Sequence, residues 1–209
     1  MIMEKEKNTF FAMLDRMKYI ERWSLMNNLE KENLKEHTFD VILLVHALIT
    51  IRKIYFPENQ PQLDPGEAVL FALYHDASEI ITGDLPTPIK YFNPGIKEQY
   101  KIVESYADNV LLEQLPEKLR QEYAKYFNNE DELTADSKQK ITILKFVKYA
   151  DTLSAYIKCV NELKLGNREF NEAAISTKEK LKAYQSDEVN FFLENIMPTY
   201  ELSLDQLQN

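Results

Sequence analysis

Apolar positions along this chain recur every three or four residues, the period of helices that bury one face. Phe10, Met13, Leu14 and Met17 open the pattern, with Thr9 placed to cap them. Over 36–55 the stripe is Val41, Leu44, Val45 and Leu48. Asp64-Pro65-Gly66-Glu67 reads as a helix start: an acid at the cap, proline at the first helical position and glutamate at the third. The helix it opens carries the apolar run Ala68-Val69-Leu70-Phe71-Ala72-Leu73 and is expected to continue to about Thr82-Gly83. Pro94 opens a helix to about Leu112, and Leu115-Pro116 a shorter one through Phe127. A long helix is expected from Asp136 or Ser137 to Leu165, closed by Gly166. Helices over 167–185 and 187–197 follow, with a last turn at 203–209.

The connections are as legible as the helices. Residues 30–34 read as a charged loop or turn, 57–65 as a linker and 128–136 as an exposed acidic connection. Asp84-Leu85-Pro86-Thr87-Pro88 holds two prolines and reads as a stiff loop. Only 4 glycines in 209 residues argue against a turn-rich β architecture. With no internal repeat or boundary linker, the expectation is an all-α fold: a single domain over 1–209, of roughly eight helices.

Charge narrows the partners. A net charge of −9 without a sustained basic stripe disfavours polymeric nucleic acid. No stretch approaches the ~20 apolar residues of a membrane span. The N-terminal segment lacks the apolar core of a signal peptide, so a cytoplasmic location is expected. The single cysteine, Cys159, excludes an internal disulfide and a cysteine zinc cluster, and reads as a small apolar side chain within a helix.

The candidate chemistry follows the apolar run directly, at Tyr74-His75-Asp76-Ala77-Ser78-Glu79. On a continuous helix His75 and Glu79 share a face, one turn apart, with Asp76 beside them. Burying these groups bare would cost roughly several kcal/mol per ion, and a metal ion offsets that cost. His37 starts the second long helix, while His46 falls on roughly the opposite face at about 100° per residue. Asp151 sits in the stripe Leu144, Val147, Asp151, Ala155. It is either neutralised by nearby Lys148 or a metal ligand brought in from a distant part of the chain. His37, His75, Asp76 and Asp151 together offer two nitrogens and two oxygens, a set that suits Mn²⁺, Co²⁺, Fe²⁺ or Mg²⁺ better than a closed structural zinc. Arg22-Trp23 is either a surface arginine beside a buried ring or a phosphate grip with an ordered setting.

The order His … His-Asp … Asp resembles the HD-domain phosphohydrolase superfamily. Glu21-Arg22-Trp23, NLKEHT at 33–38, YHDASEIITGDLPTP at 74–88, Lys90-Tyr91-Phe92 and Ala150-Asp151 are similar to the bacterial 5′-deoxynucleotidase family within it, from about Phe10 to Leu204. The resemblance implies hydrolysis of deoxyribonucleoside 5′-monophosphates, one divalent metal ion per chain (cobalt, manganese or another first-row metal), and a homodimer. It implies His37, His75, Asp76 and Asp151 as metal ligands and Glu79 as the catalytic carboxylate. By the same resemblance, Arg22 and Trp23 are expected to contact and orient the phosphate, and Asp84, Leu85, Pro86 and Thr87 to line the sugar side, with His37 and Asp151 also expected to touch substrate. Two other readings compete: another HD phosphohydrolase acting on triphosphates or cyclic nucleotides, and a non-catalytic nucleotide or metal sensor. A triphosphate site wants more basic residues than Arg22, Lys90 and Lys148 supply.

Overall fold

The computed structural model describes residues 8–90, 92–127 and 138–208, apart from the Thr87 side chain. The expected acidic connection at 128–136 therefore lies outside the described residues. Within them the chain forms eleven α-helices and no strand. The number exceeds the roughly eight expected because single-turn segments form at Glu79–Thr82, Thr87–Lys90 and Leu204–Leu207. Apolar periodicity cannot flag a helix shorter than its own repeat.

In order the helices are α1 (Phe10–Leu14), α2 (Leu34–Tyr55), α3 (Pro65–Tyr74), α4 (Glu79–Thr82), α5 (Thr87–Lys90), α6 (Pro94–Leu112), α7 (Glu117–Tyr123), α8 (Lys138–Lys164), α9 (Asn171–Ala183), α10 (Asp187–Asn195) and α11 (Leu204–Leu207). Their starts follow the local chemistry. Asp64 Oδ1 accepts from the Gly66 amide at 2.7 Å and caps α3 as its sequence demands. Asn93 Oδ1 accepts from the Ile96 amide at 2.9 Å at the head of α6. Gly166, at φ 90°, closes α8. Thr9 behaves differently: its hydroxyl bonds to Gln114 Oε1 at 2.8 Å instead of capping α1.

Two departures matter for the site. The helix expected to run unbroken through the His-Asp pair stops at Tyr74, and α4 starts anew at Glu79. The amides of Ala77, Glu79 and Ile80 bond to carbonyls three residues back, those of Tyr74, Asp76 and Ala77. These tighter turns replace the α ladder and re-aim the polar side chains. The stiff loop is also shorter than expected, because Thr87 and Pro88 already belong to α5, whose first turn tolerates proline.

The chain divides into two compact units. The first joins the segment ending at Leu25, Glu32–Thr38 and the segment beginning at Leu73. Its core is Phe10, Tyr74, Ala77, Leu111, Leu112, Leu115 and Phe127. Aromatic rings dominate it: Phe10 meets Tyr123 edge-on and Tyr74 stacks on Phe127, each with centroids 5.3 Å apart.

The second unit joins Met26–Lys31, Phe39–Ala72 and the C-terminal segment. Its spine is α8, which buries Ile143, Phe146, Val147, Ala150, Leu153 and the reduced Cys159. Asp151 lies at the edge of that face, not in its middle. Glu162 is fully buried on α8 and accepts from the Leu29 and Glu30 amides, each at 3.0 Å, and from Lys158 and Asn167. This carboxylate ties the 26–31 segment to the helix.

Candidate metal centre

The centre of the first unit is assembled from three separate stretches. α2 contributes His37 from its first turn, fully buried. The turn between α3 and α4 contributes His75 and Asp76. An isolated antiparallel bridge between Glu21 and Asn33 brings Arg22 alongside. The Arg22 amide donates to Glu32 O at 3.0 Å, and the Leu34 amide to Ile20 O at 2.9 Å, so the bridge is locked on both sides.

One oxygen organises the cluster. Asp76 Oδ2 lies 3.0 Å from His75 Nε2, 3.5 Å from His37 Nε2 and 3.7 Å from Arg22 Nη1. One donor atom from each of His37, His75 and Asp76 falls within 4.8 Å of the others, with the two imidazole centroids 5.5 Å apart. Two imidazole nitrogens and a carboxylate oxygen converging so closely form a donor set suited to a first-row divalent cation.

The surroundings are acidic and buried or half-buried. Glu79 is buried, and its Oε2 has no hydrogen-bond partner among the described residues. Burial, reinforced by the charges of Asp76 and Asp84, pushes its carboxyl up to about 10. Burial also raises Asp84, against the opposing pull of Arg22. The Trp23 backbone N–H, like Arg22, favours its ionised form. Trp23 itself has φ 57°, a left-handed conformation that costs a β-carbon residue on the order of 1–2 kcal/mol.

Of the residues singled out in the sequence, Arg22, Trp23, His37, His75, Asp76, Glu79 and Asp84 all lie in this unit. Leu85 and Pro86 follow Asp84 in the half-buried loop, and Thr87 opens α5 with its side chain outside the described set. Asp151 belongs to the second unit, where its Oδ2 is 2.5 Å from Lys148 Nζ. His46 is exposed on α2. Glu32 was missed. It accepts from Arg22 Nε at 2.9 Å and stands 3.8 Å from His37 Nδ1, yet it lies in a charged loop that no motif singles out.

Comparison with known proteins places the chain in a family. The family model described as 5′-deoxynucleotidase YfbR-like matches residues 9–200. The chain belongs to the YfbR-like family. Curated relatives are similar over nearly their whole length. The 5′-deoxynucleotidase of Erwinia tasmaniensis is 42% identical over 198 residues, covering 95% of each chain. The 5′-deoxynucleotidase YfbR of Escherichia coli is 41% identical, covering 97% of this chain and 96% of that protein. The fold is that of an HD-domain phosphohydrolase from Listeria innocua, at TM-score 0.76 and 20% identity over 96% of this chain and 92% of that one. A cyanophage S-2L HD phosphohydrolase, solved with dA and one catalytic Zn²⁺, aligns at TM-score 0.60 and 25% identity over 91% of this YfbR-like chain and 93% of its own.

Proposed function

We propose that this YfbR-like protein is a metal-dependent 5′-deoxynucleotidase, hydrolysing deoxyribonucleoside 5′-monophosphates to deoxyribonucleosides and phosphate. The observation that carries the reading is the convergence of His37, His75 and Asp76 donors within 4.8 Å, with Arg22 bordering them at 3.7 Å. His37, His75 and Asp76 would hold one divalent ion per chain, with Asp151 as the fourth ligand by family resemblance; cobalt and manganese suit the set. Such an ion supplies the positive charge that polarises a phosphoryl oxygen and makes water acidic.

The chain's own groups do the rest. Arg22, steadied by Glu32, offers forked donors to the phosphate oxygens and neutralises charge that grows during in-line attack. Trp23 forms a rigid wall beside it. Glu79 takes a proton from the attacking water and returns it towards the leaving O5′. Beside a bound divalent cation, the ionised form of this buried carboxyl, which accepts the proton, would be favoured. Asp84 accepts from the sugar, and Leu85, Pro86 and Thr87 shape the space around it. Family resemblance extends the proposal to a homodimer acting in the cytoplasm.

The test is phosphate release from dAMP, dGMP, dCMP, dTMP and AMP, and from triphosphate and cyclic nucleotides, by chelator-stripped protein, repeated with each metal restored. Metal-dependent release from the deoxynucleotides is expected. Release from triphosphates or cyclic nucleotides alone would move the protein to a different HD activity. Tight nucleotide binding with no release under any metal would make it a sensor.

A further inference from the structure

The sugar-side loop is braced from α6 at both of its ends. At the near end, Tyr100 Oη donates to Thr82 Oγ1 at 3.2 Å, with Gly83 O as the alternative acceptor at 3.4 Å. Thr82 Oγ1 donates in turn to Gly83 O at 3.0 Å. At the far end, Lys90 Nζ on α5 is held by Glu104 Oε1 at 2.7 Å. The same ammonium lies 5.0 Å from the Tyr100 ring centroid, so the two anchors touch each other.

Between these anchors run Asp84, Leu85 and Pro86. The chain enters that run through Gly83, at φ 74°, whose amide donates to Glu79 O at 2.8 Å. The loop is therefore fixed at its start to the helix bearing Glu79 and at its end to α6. Tyr100, Thr82, Lys90 and Glu104 thus contribute polar groups to one loop.

Resting on the deoxynucleotidase reading, we infer that Tyr100 and Glu104 are positioning residues that make the sugar side of the pocket stiff enough to refuse a ribose 2′-hydroxyl. A single added hydroxyl is a small steric difference. A wall that can yield by about an ångström admits it, and a wall held at both ends does not. Tyr100 and Thr82 hydrogen-bond within this loop, whereas Lys90 also acts through its charge on Asp76 and Glu79; variants that leave Lys90 in place therefore direct the loss to sugar discrimination.

The experiment measures kcat and KM for dAMP and AMP in the metal-loaded wild type and in Tyr100→Phe and Thr82→Val. Tyr106→Phe, on the same helix but 67% exposed, is the control. Tyr100→Phe removes only the hydroxyl and keeps the ring beside Lys90. Thr82→Val removes its acceptor at equal shape and keeps the test alive if the first variant folds poorly. Each should lower the dAMP-over-AMP ratio of kcat/KM by about three- to tenfold, the worth of one hydrogen bond, chiefly through KM. Bound metal per chain should stay at the wild-type value. Ratios within twofold of wild type in both variants, or equal loss of kcat on both nucleotides, overturn the inference. A wild type that releases no phosphate from dAMP sinks the enzymatic reading instead, which keeps the two failures apart.

Discussion

Glu32 Oε1 accepts from Arg22 Nε at 2.9 Å and faces His37 Nδ1 at 3.8 Å. One carboxylate thus holds the proposed phosphate-binding cation and borders the back of a proposed metal ligand. Replacing it with alanine removes the carboxylate that holds Arg22 Nε and faces His37 Nδ1, leaving Asp76 as the acid both groups still meet. Glu32→Ala should lower kcat/KM for dAMP by about 10–100-fold, in line with losses at groups that orient ligands. Steady-state kinetics on the metal-loaded variant checks this, and wild-type efficiency would make Glu32 a bystander.

Metal content tests the ligand set itself. Purified protein should carry one ion per chain, and chelation should abolish phosphate release until a divalent metal returns. His75→Ala and Asp151→Ala should each weaken metal retention, read by elemental analysis after dialysis. Asp151→Ala with intact affinity would leave it to its ion pair with Lys148 and remove it from the ligand set.

Glu79→Gln keeps the shape of the buried side chain but cannot exchange a proton. It should still bind metal and nucleotide while kcat falls by about 10²–10⁴-fold. Unchanged turnover would take Glu79 out of the chemistry.

Two carboxyls give opposite pH signatures in stability. Burial alone would raise Glu162, but Lys158, Asn167 and the Glu30 and Leu29 amides outweigh it and hold the group down at about 2. Its stabilisation is fully present above the ordinary glutamate range and drains away as pH falls towards 2. Glu162→Gln should therefore flatten the acid limb of the melting-temperature profile and lower the plateau at pH 7.

Asp108 runs the other way, because burial and then Glu104 push it up to about 7. A raised acid destabilises the fold increasingly from the ordinary aspartate range up to about pH 7, and by a constant amount above. Asp108→Asn should raise the melting temperature at pH 8 and change little at pH 4, with about 2–4 °C expected for each kcal/mol regained. Equal shifts at both pH values would contradict the assignment.

Local order and chemistry were legible in the residues. Asp64-Pro65 announces α3, Pro94 announces α6, and Gly166 ends α8, because caps and breakers act within a turn of themselves. The His-Asp pair, Glu79 and Arg22-Trp23 announce themselves through residue type, since ionisable groups beside an apolar run need a reason. Tertiary structure decided the rest. The break after Tyr74 comes from amides bonding three residues back, which no apolar stripe encodes. Glu32 gains its role only when the Glu21–Asn33 bridge folds the loop back on Arg22. The brace of Tyr100, Glu104 and Lys90 joins helices across a proline loop, and pairings at that range depend on packing geometry that short-range periodicity does not carry.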